Sequence, residues 1–174
     1  MKKFLFIFFV SFHTLSLVAQ SDEEKYFRAE YDTIVEKTFV LDFEKTFDKE
    51  QTKNLNKLIS DFEKETSIEI AIITFDTKYD SDEEFHKNTL FVANWIGVGK
   101  KYLDNGIVIE ISNTSRKIRI ENGNGIELIL SDQETKEIID NEFIPNFENK
   151  EFYRGTFNGV LKIIEVLREK LKHK

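Results

Sequence analysis

The run Ile68-Glu69-Ile70-Ala71-Ile72-Ile73-Thr74-Phe75 limits the fold more than any other part of this chain. It has the length of a strand, and β-branched residues pack well on a pleated surface. Successive strand residues point to opposite faces, yet apolar residues fill both sets of positions. Such a strand must be covered on both faces, so it belongs at the centre of a sheet between two helical layers. The flanking sequence supplies the layers. Leu55, Leu58, Ile59 and Phe62 recur at helical spacing within 48–65, and Ser81 with Glu84 caps a second helix whose core face is Phe85, Thr89, Val92 and Ile96, with Trp95 alongside. Gly97 and Gly99 stop it.

Gly106–Ser112 is the next strand, Asn113–Arg116 a turn, and Lys117–Glu121 an alternating, half-buried strand. Asn122-Gly123-Asn124-Gly125 breaks it. Ser131 and Glu134 open a helix through about Glu142, Pro145 ends that region, and a last helix runs from about Gly155 to Leu171 on Phe157, Leu161, Ile164 and Leu167. Before the central run, Phe39–Phe43 is a brief extended piece. The predicted fold is α/β: a three-layer α/β/α sandwich with a small mixed sheet, Rossmann-like in its layering. The two main strands are expected to be parallel through a right-handed crossover. That topology puts the Asp104-Asn105 loop beside Glu121–Gly123 at one sheet edge, and Asp76 beside Asn113–Ser115 at the other.

The N-terminus reads as an export signal. Lys2 and Lys3 precede an almost wholly apolar stretch, Phe4–Val18, that exits through Ala19, Gln20 and Ser21. A bilayer span needs about 20 apolar residues, so the stretch is short for a permanent anchor. Cleavage is expected after Ala19 or Gln20. The chain then divides into a signal peptide (1–20), an N-terminal extension (21–37) with a Ser21/Glu24 capping box and a short helix to Val35, and one domain (38–174). No cysteine follows the apolar run, which excludes a lipid-modified N-terminus, and no later segment is long enough to cross a membrane. The expected location is the periplasm or the cell exterior.

Composition removes whole classes of function. The formal charge is −7, and loss of the first twenty residues, which carry two lysines and no acid, takes it to −9. An acidic surface repels a phosphate backbone, so nucleic acid is not an expected partner. There is no Cys, and His86 is the one histidine outside the signal and the tail. Thiol nucleophiles, Ser-His-Asp triads and zinc sites built on several His or Cys ligands therefore have no material. Gly97-Val98-Gly99 follows a helix and lacks a third glycine, while Gly123-Asn124-Gly125 lacks the Gly-Lys-Ser/Thr of a phosphate loop. Both are expected to be turn glycines needing positive φ.

Trp95-Ile96-Gly97-Val98-Gly99 followed by Asp104-Asn105-Gly106-Ile107-Val108-Ile109 carries a resemblance. So do Arg116-Lys117, then Gly123-Asn124-Gly125-Ile126-Glu127 and Asp132; earlier, Val40-Leu41-Asp42 and Glu65–Ile70, where Ser67 replaces a usual glycine; and later, Phe152-Tyr153-Arg154-Gly155. In order and spacing they resemble the TPM-domain family of thylakoid-lumen and bacterial envelope proteins, over roughly residues 38–165. The resemblance implies an α/β/α sandwich in the cell envelope, with divalent-cation binding and acid phosphatase activity as associated properties. Many bacterial relatives continue into a transmembrane helix or glycine-rich tail. This chain stops at Leu171-Lys172-His173-Lys174, which favours a free protein.

What remains for specific chemistry is oxygen donors, which suit Ca2+ or Mg2+. The candidate metal ligands are Asp104 and Asn105, with Asp42, Glu127 and Asp132 as the other family-matching carboxylates; no catalytic residue is assigned. Each has a competing role. Asp104-Asn105-Gly106 can be a turn, Asp132 a helix cap, and Glu127 a partner of Arg116, Lys117 or Arg119. Asp42 lies at the Asp76 edge if its segment runs parallel to the central strand. The leading expectation is an envelope module that binds a divalent cation and a protein partner; the alternative is a metal-assisted acid phosphatase.

Overall fold

The computed structural model describes residues 38–100 and 102–172. The expected signal peptide, the N-terminal extension with its capping box and short helix, and Lys101 lie outside the described residues. Four strands form one sheet in the order β1 (Val40–Asp42), β2 (Glu69–Thr74), β3 (Gly106–Ser112) and β4 (Lys117–Asn122). β1, β2 and β3 are parallel and β4 is antiparallel to β3. Asp42 is in register with Thr74, Thr74 with Ile111, and Ile107 with Asn122.

Helices cover both faces, as the doubly apolar β2 requires. On one face Ile70, Ile72, Ile107, Ile109 and Ile120 pack into a core with Leu55, Ile59 and Phe62 of α1 (Lys49–Thr66) and with Val160, Ile163, Ile164 and Leu167 of α6 (Phe152–Leu171). The alternate residues Ala71, Ile73 and Val108 are buried beneath Phe85 and Val92 of α2 (Asp82–Ile96). α1 starts at a capping box between Asp48 and Gln51, and ends at Ser67, whose φ of 63° lies in the left-handed region. That conformation explains why glycine is usual at this position.

Three expectations are corrected. Pro145 does not end the helical region. α4 (Asp132–Ile138) runs into a π-helical turn (Ile139–Phe143) and then α5 (Ile144–Glu148), with Pro145 in the first turn of α5. A proline needs no N–H partner there, and the widened turn accommodates its ring. α6 begins at Phe152, not Gly155; Val160, Ile164 and Leu167 lie inward as expected, joined by Thr156 and Ile163, while Phe157 and Leu161 are only partly buried.

Gly123 and Gly125 are not positive-φ turn residues; among the glycines only Gly97 and Gly99 are. A Cβ on Gly123 would lie 2.2 Å from the Asp104 carbonyl oxygen, and one on Gly125 would lie 2.0 Å from that of Leu103. These glycines let two backbones touch. They open α3 (Asn124–Glu127), a single turn absent from the sequence reading.

Candidate functional site

The carboxyl ends of the parallel strands meet two turns. Asp42 closes the first: its Oδ1 accepts the Thr46 N–H (2.9 Å) and the Thr74 hydroxyl (2.5 Å), and its Oδ2 accepts the Phe47 N–H (2.8 Å). Glu44 reaches to the second, accepting the N–H of Asn113 (2.9 Å) and Thr114 (2.8 Å) and the Thr114 hydroxyl (2.9 Å). That hydroxyl also lies 2.9 Å from Asp76 Oδ1. The expected neighbourhood of Asp76 and Asn113–Ser115 is therefore present. The parallel pairing of β1 puts Asp42 at this edge.

Beside the second turn a cleft of about 610 Å³ opens between the start of β4 and the α5–α6 junction. Ile118, Ile144, Phe147 and Phe152 make it apolar, while Asn113, Arg116, Glu148 and Lys150 supply polar groups. Phe147 stands edge-on to Phe143 (5.9 Å) and is tilted against Phe152 (5.3 Å), so the aromatic wall is braced from behind. Lys117 also lines the cleft, but its ammonium pairs with Asp82. Among the described residues no ion pair engages Arg116 or Lys150. Both are in the left-handed region, at φ 52° and 62°. A side chain costs about 1–2 kcal/mol there relative to glycine, so each turn carries a long cation where a smaller residue would fit better. Asn113 donates to Thr46 Oγ1 (2.7 Å), and its buried Oδ1 has no partner.

The opposite edge holds Asp104, Asn105 and Glu127. Asp104 Oδ2 accepts from Asn124 Nδ2 (2.8 Å), and its carbonyl accepts from the Gly125 N–H (3.0 Å), so the two loops meet as the topology required. Asn105 uses its amide at both ends, donating to the Ser67 carbonyl (2.7 Å) and accepting from the Lys100 N–H (2.8 Å). It is a clamp between loops. Glu127 is exposed and is not paired with Arg116, Lys117 or Arg119; Lys117 holds Asp82 and Arg119 holds Glu121. Asp132 sits in the first turn of α4, where Ser131 and Glu134 do the capping. The five candidate ligands thus do not converge: Asp42 is at one edge, Asp104, Asn105 and Glu127 are at the other, and Asp132 is on the next helix. Among the described residues no group of three or more His, Asp or Glu is arranged to hold a metal ion.

The sequence reading missed Glu44, Arg116 and Lys150 as site residues, because they lie on three segments far apart in sequence, the turn after β1, the β3–β4 turn and the α5–α6 junction. It also missed Glu110. This residue is fully buried in β3, where its Oε1 accepts from Tyr79 Oη and Asn88 Nδ2 (2.8 Å each) and its Oε2 has no partner. The signal was present: a lone acid in an otherwise apolar strand. His86 is half-exposed, with Nε2 3.3 Å from Glu121 Oε1.

A four-stranded sheet in sequence order, its last strand antiparallel, sandwiched by helices and with a cleft at the strand carboxyl ends, defines a small α/β/α domain. A family model described as the TPM domain matches residues 40–166, and the chain belongs to that family. Among solved structures it is similar to the N-terminal domain of a P. gingivalis protein, at 27% identity and TM-score 0.71, covering 80% of this chain and 88% of that one. The BA42 protein from Bizionia argentinensis shares the fold at 23% identity and TM-score 0.63, covering 74% and 86%. So does the N-terminal domain of a Corynebacterium glutamicum protein, at 13% and 0.54, covering 76% and 78%. A comparison with curated proteins finds no match. Among the described residues no helix is long and apolar enough to cross a membrane.

Proposed function

We propose that this chain is an exported binding module of the cell envelope and that its ligand enters the cleft at the carboxyl end of the sheet. What carries the reading is one observation: a cleft of about 610 Å³ with apolar walls and two cations, Arg116 and Lys150, that among the described residues enter no ion pair. That volume falls in the range of about 300–1,000 Å³ typical of ligand sites. The test is the fluorescence of 1-anilinonaphthalene-8-sulfonate, an apolar anion. A saturable one-to-one enhancement that weakens in Phe152→Ala and Arg116→Gln supports the cleft, and no enhancement in the folded protein refutes it. Export rests on the order of charge, apolar stretch and small residues at 1–21; fractionation with N-terminal sequencing should find a mature start at Gln20 or Ser21.

Divalent-cation binding at the Asp104 loop is a second reading. It is favoured by the exposure of Asp104 and Glu127, neither in an ion pair among the described residues, and by the Asn124 bond that joins their loops. Titration calorimetry with Ca2+ and Mg2+ should show heat that disappears in Asp104→Ala; equal heats in both proteins would remove the assignment. Acid phosphatase activity is the alternative that the family resemblance implies. Hydrolysis of a chromogenic phosphate monoester, lost with chelator and in Arg116→Gln/Lys150→Gln, would favour it. Turnover indifferent to both would belong to a contaminant.

A further inference from the structure

We infer that the ligand of this cleft is a short extended peptide segment that presents an apolar side chain beside a carboxylate. The inference rests on the binding reading above and names the chemical class that the site takes. Three observations lead to it.

The first is shape. A second cleft of about 300 Å³, bordered by Thr46, Gln51 and Tyr153, shares Lys150 and Phe152 with the first. The two therefore flank the same pair of side chains, one cleft on the β3–β4 turn side of the α5–α6 junction and the other on the side of the start of α1. An extended chain advances about 3.3 Å per residue and turns alternate side chains to opposite sides. A mainly apolar cleft beside a mainly polar one can take an apolar and a polar side chain of one extended segment, whereas a compact small molecule would fill only one of them.

Charge is the second. The two clefts together are bordered by Arg116, Lys117, Lys150 and Arg154 against Glu148 and Glu151, a positive excess in a chain of net charge −7. The overall field repels a polyanion, while the local cations attract a ligand with one or two negative groups. Lys117 and Arg154 are partly spent on Asp82 and Glu151. Arg116 and Lys150 are the cations left for an incoming carboxylate, and a guanidinium takes one with two parallel hydrogen bonds.

The third is the wall. Phe147 and Phe152 face the space with Ile118 and Ile144 beside them. Gly155 allows Phe147 to come so close to α6 that a Cβ there would meet its ring at 2.8 Å. The aromatic wall is therefore fixed before a ligand arrives, which lowers the cost of ordering on binding.

The experiment is a titration of the full chain, followed by amide chemical shifts, with three probes. One is a hexapeptide alternating Phe or Leu with Asp or Glu; one is its Asn/Gln counterpart; one is 4-nitrophenyl phosphate. The expected result is that the acidic peptide shifts the amides of 113–118 and 147–154. Its affinity should fall at least tenfold in Arg116→Gln/Lys150→Gln, both exposed positions at which the fold survives, and the neutral peptide should bind at least tenfold more weakly to the unaltered chain. Equal affinity for the two peptides, or shifts confined to other segments, overturns the inference. Binding of the phosphate ester alone overturns it in favour of the phosphatase alternative. If the naphthalene sulfonate binds and the acidic peptide does not, the peptide class is wrong while the cleft stands; if neither binds, both readings fall.

Discussion

Glu110 occupies a position in β3 where every neighbour along the strand is buried, and half of its carboxylate is unsatisfied. Burial raises its pKa above the ordinary carboxylate value, against the opposing pull of hydrogen bonds from Tyr79 and Asn88. Burial also pushes the Tyr79 phenol up, with the charge of Glu110 adding to it. The folded chain therefore keeps the Glu110 proton to higher pH than the unfolded chain does. Stability is lost as pH rises from the unfolded value through the raised folded one. Glu110→Gln removes that dependence. It should stabilise the protein at pH 7, by about 1.4 kcal/mol for each unit by which folding raises the Glu110 pKa, and change little below about pH 4. Thermal melts at the two pH values check this; a gain of equal size at both would show that ionisation is not the cause. The apolar positions of β3 were legible because strand patterning is local. The fate of Glu110 was not, since Tyr79 and Asn88 lie 31 and 22 residues away.

Between elements, α6 packs closely on the π-helical turn and α5. Gly155 and Gly159, one turn apart on α6, lie against Phe147 and Phe143, and a Cβ on Gly159 would come within 1.9 Å of the Phe143 ring. Gly159→Ala gains helix propensity worth about 1 kcal/mol but forces a fully buried ring to move, an overpacking cost of about 1–3 kcal/mol. A net loss of stability is expected in urea unfolding, and Phe143→Leu in the same chain should recover part of it. The start of α1 offers a cleaner case. Asp48 accepts from the Glu50 and Gln51 N–H groups, so Asp48→Ala should cost about 1 kcal/mol and lower Tm by about 3 °C. The Ser81/Glu84 and Ser131/Glu134 caps were readable from sequence, because caps involve residues three apart; the Asp48–Gln51 box emerged only from the structure. The glycine–phenylalanine contact was not readable either: it joins α6 to a π-helical turn that no periodicity announces.

At the scale of the whole domain the sheet keeps two working edges apart. Asp42, Glu44 and Asp76 knit the carboxyl edge; Asp104 and Asn105 knit the other. Groups this distant, with no shared partner, should act independently. Asp42→Asn and Asp104→Asn are expected to have stability effects that add within about 0.5 kcal/mol, and Asp104→Asn should leave affinity at the cleft unchanged. A double-mutant cycle in urea, with sulfonate binding measured on the same proteins, tests both; coupling well beyond that value would mean that the edges communicate through the sheet.

Local order along the chain was enough to specify a central strand covered on both sides, the helices that cover it, and the pairing of loops at each edge. These follow from side-chain periodicity and capping, which act over a few residues. Which carboxylates meet, which glycines are needed for backbone contact, and where a cleft opens depended on the fold as a whole. Parallel register carried Asp42 away from Asp104, and the approach of α5 and α6 to the β3–β4 turn brought Arg116 to Lys150. Those outcomes come from contacts between distant segments, where one residue of register or one extra helical turn changes what touches what.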